Sequence, residues 1–177
     1  MKNLPKNAVI MVEDEMILHF QATLGKMWMK KGMPVKIAIA AGRDRTSFYG
    51  ALNIKTGKEH AMLIDRQNSG SSIKFLKKLR RAYPKAKILL VWDSAPWHKS
   101  KKIKKYLEII NNPAKANRLE LLNFPKYTPK LNPQEHIWKE ARKEISHNHT
   151  FATFPELKKS FMNFLKKTRF NYKFVKY

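Results

Sequence analysis

The chain of 177 residues has no cysteine. Disulfide frameworks and cysteine-ligated zinc are thereby excluded. Acidic residues are scarce: 13 Asp and Glu stand against 37 Lys and Arg, a formal net charge of +24 with a pI near 10.3. No apolar run approaches the roughly 20 residues that cross a bilayer. Residues 1–7 lack the apolar stretch of a secretory leader. Internal repeats and low-complexity segments are also missing. What is present is a globular composition, 43% hydrophobic, enough for one domain over 1–177 with a real core. Unopposed positive charge predicts attraction to nucleic acid or an anionic membrane. The charge is spread along the chain, which predicts a broad electropositive face rather than a basic arm. No lysine-flanked amphipathic anchor supports the membrane reading. A cytoplasmic, nucleoid-associated protein is the expectation.

Hydrophobic periodicity places the elements. Short strands are expected over 7–12, 35–41, 48–54 and 59–64, with turns at 42–45 and 56–58. A helix over 71–83 carries Phe75, Leu76, Leu79 and Tyr83 on one face. The apolar run over 87–92 reads as a strand buried on both faces. A lysine-rich helix over 99–110, a strand over 118–124 and a Pro-rich loop over 125–132 follow. A helix over 133–146 has Asn132 as N-cap and Pro133 at its first position. A last helix spans 155–167. A meander followed by alternating helices and strands predicts an α/β fold, a mixed sheet with helices on its faces. The first strand and the strand before Asp93 become neighbours if the meander lies to one side.

Three acids then stand out. Asp14 follows the run Val9-Ile-Met-Val12, Asp93 follows Ile88-Leu-Leu-Val-Trp92, and Glu135 opens the helix after Asn132-Pro133. Clefts at such strand ends are the usual ligand sites of open α/β sheets. Converging carboxylates suit Mg²⁺ or Mn²⁺, and two such ions can clamp the oxygens of a phosphoryl displacement. Taken singly, each acid has a plain structural explanation: Asp14 or Asp93 can cap a turn, and Glu135 complements a helix dipole.

The sequence around these acids is distinctive. Glu13-Asp14-Glu15, Trp28-x-x-x-Gly32, Asp93-Ser-Ala-Pro-Trp-His98 and Pro125-Lys-Tyr-Thr-Pro-Lys-Leu-Asn-Pro-Gln-Glu135-His-Ile-Trp138 resemble the catalytic domain of mariner-type insertion-sequence transposases, which are DDE superfamily endonucleases. The resemblance spans nearly the whole chain. It implies a ribonuclease-H-like mixed five-stranded sheet flanked by helices. It implies that Asp14, Asp93 and Glu135 are the catalytic, metal-binding triad, with Asp14 bridging two Mg²⁺ or Mn²⁺ ions. The implied reaction is hydrolytic cleavage at transposon ends, then attack of the freed 3′-hydroxyl on target DNA. The implied partner is double-stranded DNA, bound as a homodimer.

Two departures accompany the resemblance. Asp93 and Glu135 are farther apart than in many relatives, with the surplus assigned to the loop over 111–117. The first strand starts within ten residues of Met1, so helix-turn-helix DNA-binding modules are expected to be absent, and the chain is read as a domain fragment, one product of a split gene with a separately encoded DNA-binding segment, or a decayed element. The alternatives are a catalytically inactive DNA-binding remnant, or another ribonuclease-H-like nuclease such as a junction resolvase.

Among other residues, Trp97, His98, Lys99, Lys101, Lys102 and Lys130 are expected to contact DNA. A packing or capping role is an equal alternative for His98. Glu13 and Glu15 alternate with Asp14 along a strand, so they face away from it and are read as supporting. Trp92 and Trp138 are read as packing residues, and His136 and the His147-x-His149 pair as outside the site.

Overall fold

Residues 8–19 form one continuous strand, β1 (Ala8–His19), although its middle reads Glu13-Asp14-Glu15. The structure, a computed structural model, is described for residues 7–21, 25–26, 28–33, 36, 43–111, 118–125 and 132–172. Two different neighbours hold β1. The antiparallel β2 (Arg45–Asn53) lies beside it from Met11 to His19. The parallel β4 (Lys87–Trp92) pairs with it only from Ala8 to Val12. The expected strand end at residue 12 is therefore where one edge loses its partner, while the other edge stays paired. Asp14 sits inside the strand, not at its end.

The antiparallel β3 (Lys58–Ile64) and the parallel β5 (Leu119–Asn123) complete a sheet of order β3-β2-β1-β4-β5. This is the mixed five-stranded sheet flanked by helices that the resemblance implied. Between β3 and β4 runs α1 (Ser69–Ala82), capped by the Asn68 side chain. Between β4 and β5 runs α2 (Lys101–Ile110), capped by Ser100. Last come α3 (Pro133–Ile145), capped by Asn132 with proline in its first turn as expected, and α4 (Phe154–Lys167), capped by Thr153. The strand expected over 35–41 lies outside the described residues except for Lys36. So do residues 112–117 and 126–131, the bulk of two expected loops.

Two apolar layers sandwich the sheet. On one face Met11, Tyr49, Ile88, Leu90 and Trp92 pack under α1 and α2 with Phe75, Leu79 and Ile103. On the other, Met16, Leu18, Phe48 and Leu52 pack under α3 and α4 with Ile137, Trp138 and Phe161. One expectation is corrected: β4 is not buried on both faces. Ile88, Leu90 and Trp92 are buried, whereas Lys87, Leu89 and Val91 are only half-buried. The helices α3 and α4 contact β1, β2 and β3, which leaves the second face of β4 partly uncovered. That shelf lies beside Asp14.

Candidate active site

The parallel register pairs Val12 with Val91. Asp14 and Asp93 each lie two residues beyond that last pair, and Asp14, on the face covered by α3, feels the Asp93 charge. Across β1 on the other side, Asp14 is opposite Gly50. A Cβ at Gly50 would lie 2.4 Å from both Gln134 Nε2 and Trp138 Cη2. Only glycine lets α3 come this close to the sheet. The approach brings the first turn of α3, and Glu135 with it, toward Asp14. Glu135 is partly exposed and has a loose partner in Lys139, 3.8 Å away.

Asp14 is half-buried. Burial first, then the neighbouring charges of Glu15, Asp93 and Glu135, push its carboxyl up to about 7. Asp14 thus feels both other acids of the expected triad. Asp93 behaves oppositely. His98 Nδ1 at 3.0 Å and the Ala95 amide at 2.8 Å both donate to its Oδ1, and they hold its pKa below the usual value. Its side chain stays half exposed, and both of these bonds fall on one oxygen.

His98 is expected at the DNA surface, but its side chain is fully buried. Trp92 stacks flat against it, with ring centroids 3.9 Å apart and planes 6° apart. Its Nε2 lies 3.2 Å from Glu15 Oε1. Burial would lower the pKa of His98, but the bonds to Asp93 and Glu15 raise it to about 9. His98 is therefore an imidazolium strung between β1 and the end of β4, and a tether for Asp93. Trp97 Nε1 donates to the same Glu15 oxygen at 2.8 Å, so its N–H is committed inward. Lys99, Lys101 and Lys102 are exposed as expected, and Lys130 lies outside the described residues.

Two sets of acids could hold a cation. Among the described residues, Glu13, Glu15 and His98 bring ligand atoms within 4.8 Å of one another. Asp14, Asp93 and Glu135 do not come as close as that, and what links them is the charge of Asp93 and of Glu135 acting on Asp14. The first set is already matched in charge by the imidazolium, and a protonated nitrogen cannot ligate. Its third member, Glu13, is wholly buried, and that burial, with the nearby Glu15, raises its pKa well above the usual range. The second set offers only hard carboxylate oxygens, in mutual repulsion and open on one side, which is the donor chemistry of Mg²⁺ and Mn²⁺. Beside it, a groove of about 420 Å³ runs along β1, lined by Glu15, Ile17, Glu135, Lys139 and Arg142 among others. Arg142 Nη2 donates to the Ile17 carbonyl at 3.2 Å.

A family model described as a DDE superfamily endonuclease matches residues 9–158, which include all of these acids. The chain belongs to the DDE superfamily endonucleases. Solved structures similar to this DDE endonuclease domain carry the same fold. The Mos1 transposase paired-end complex with left transposon end aligns with a TM-score of 0.67 at 18% identity, covering 92% of this chain and 49% of that one. The Mos1 strand transfer complex gives 0.66 at 19%, covering 92% and 48%. The catalytic domain of Mos1 mariner transposase gives 0.61 at 16%, covering 90% and 70%. The DDE domain thus spans about half the length of the Mos1 chains in the two complexes. No curated protein matches it.

Sequence reasoning missed Gly50, Gln134 and Glu59, which seat α3. No local signal marks them. The Glu15–His98 contact did have a signal: Glu13 and Glu15 share a strand face, and a histidine follows Asp93 closely.

Proposed function

We propose that this domain is the catalytic core of a transposase that cuts DNA strands at transposon ends and joins the freed 3′-hydroxyl to target DNA. Asp14, Asp93 and Glu135 are the residues that would hold two Mg²⁺ or Mn²⁺ ions. Such ions, when bound, polarise the scissile phosphate and activate the attacking oxygen. The protein's part is positional. The paired strands fix Asp14 beside Asp93, His98 keeps Asp93 ionised and aimed, and the close seat of α3 presents Glu135. Lys99, whose charge acts on Asp93, and the exposed Lys101 and Lys102 would supply phosphate contacts. The carrying observation is the parallel pairing of β1 with β4, which ends two residues before Asp14 and Asp93, together with the seat of α3 on Gly50 opposite Asp14. The solved Mos1 complexes with transposon-end DNA make duplex DNA, bound by paired copies of the chain, the substrate to test.

The deciding experiment assays Asp93→Asn for strand cleavage and for joined products on DNA carrying the element's ends, with Mn²⁺. Loss of metal stabilisation worth several kcal/mol corresponds to a rate drop of at least about a hundredfold. Salt-sensitive DNA binding should survive. Undiminished cleavage by Asp93→Asn would remove this residue from the reaction. Cleavage without any joined product would favour a plain nuclease such as a resolvase.

A further inference from the structure

Beneath the first turn of α3 lies a buried polar pair that the proposed chemistry does not use. Glu59 on β3 is 4% exposed and Gln134 is wholly buried. Gln134 Nε2 donates to Glu59 Oε1 at 3.0 Å. Each partner then has one oxygen left over. Glu59 Oε2 and Gln134 Oε1 are both buried and both without a hydrogen-bond partner. Two acceptors cannot satisfy each other, and orphaned buried oxygens are costly. A proton on Glu59 Oε2 gives that oxygen a hydrogen to donate, and Gln134 Oε1 is the free acceptor on its own partner. The two side chains would then form a closed acid–amide pair. Burial, against the pull of Gln134, the Ala51 amide and Lys78, raises the Glu59 carboxyl to about 8, in keeping with that proton.

We propose that Glu59 is a positioning residue for the metal site: it holds Gln134 over Gly50, and so fixes Glu135, the next residue, opposite Asp14. The proposal rests on the reading of Asp14, Asp93 and Glu135 as metal ligands. Glu59 touches neither the ions nor DNA. It acts through α3. Among the described residues the same helix turn lacks other anchors of this kind, since Asn132 caps the helix from within and Trp138 Nε1 has no partner. The charged groups acting from packed elements are Lys78 of α1, which favours ionisation, and Glu13 of β1, which opposes it. Lys166 of α4 in turn acts on Lys78.

The sign of the pH effect follows. The folded pKa of Glu59 is raised from 4.5 to about 8. The folded protein keeps a proton that the unfolded chain gives up, so stability and the seating of α3 weaken as pH rises through that window. Above about 8 an ionised carboxylate would face Gln134 in a dry pocket, and the closed pair would open.

The test is Mn²⁺ binding by the full chain at about pH 6.5 and about pH 8.5, for wild type, Glu59→Gln, Glu59→Leu and Asp93→Asn. Glu59→Gln cannot ionise and still hydrogen-bonds, so it should match wild type at the lower pH. It should bind severalfold more tightly than wild type at the higher pH. Comparing the two chains cancels the pH dependence of the ligands themselves. Glu59→Leu should bind Mn²⁺ about tenfold more weakly at both, the usual loss when a residue supporting a ligand is removed. Superimposable pH profiles for wild type and Glu59→Gln would overturn the proposal, and they decide it even if Glu59→Leu fails to fold. A folded Glu59→Leu with wild-type affinity would overturn it too. Asp93→Asn separates the two readings. If it binds Mn²⁺ like wild type, the metal-site assignment fails and the positioning role with it. If it loses binding while both Glu59 variants behave as wild type, only the positioning role fails.

Discussion

A single missing Cβ does much to assemble the site. Gly50 has an ordinary strand conformation, so its value lies in space, not in backbone freedom. Gln134 and Trp138 occupy the volume that a methyl group would need. The three consecutive acids of β1 are sorted just as simply, by the alternation of a strand. Glu13 and Glu15 turn toward Tyr49, Trp92 and His98, and Asp14 turns toward α3. Gly50→Ala should therefore cost about 1–3 kcal/mol, the usual penalty for overpacking, read as a lower urea midpoint at unchanged slope. It should also weaken Mn²⁺ binding, because α3 can only move away from Asp14. A Gly50→Ala variant as stable as wild type would show that α3 is not seated as described.

At the scale of elements, β3 is held to the sheet and to α1 by a chain of three polar side chains. Asn53 Nδ2 donates to Tyr83 Oη at 3.0 Å, and Tyr83 Oη lies 2.9 Å from His60 Nε2. With its lone pair engaged by Asn53, the tyrosine is free to donate its proton, so His60 accepts as a neutral ring. Burial, helped by Lys58 and Lys78, lowers the His60 pKa from 6.5 to about 4. Between those values the unfolded chain binds a proton that the folded one refuses. Stability is full above 6.5 and is lost as pH falls toward 4, by up to about 3 kcal/mol. Urea unfolding of wild type against His60→Phe across this range checks it. The variant should lose the acid-side decline attributable to this site, and parallel curves would contradict the assignment. Glu59, next to His60 on the opposite face, has the reverse dependence on the alkaline side.

Across the whole molecule, charge and topology act together. The second face of β4 is left partly open by α3 and α4, Lys99 acts on Asp93 at the end of β4, and α2 follows with further exposed lysines. Replacing Lys101, Lys102 and Lys105 together by glutamine should leave folding intact, since all three are exposed. DNA affinity should fall for every sequence alike. The slope of log affinity against log salt should shrink by about 0.9 for each phosphate that the protein no longer neutralises. An unchanged slope would place the DNA on another face. Among the described residues no helix is long and apolar enough to cross a membrane.

Much of this was legible along the chain. Periodicity announced α1 to α4, Asn132 announced the start of α3, and the order of elements implied that β1 and β4 run side by side. Those features are local, or follow from connection rules. The extent of β1, the half-open face of β4, the burial of His98 and the Glu59–Gln134 pair were decided only by the fold. They depend on contacts between residues distant in sequence, such as Trp97 with Glu15 over 82 positions and Gln134 with Glu59 over 75. A charged residue looks the same in sequence whether it faces water or a buried partner. Packing alone chooses between the two, because only in three dimensions does the desolvated group meet the partner that makes its burial tolerable.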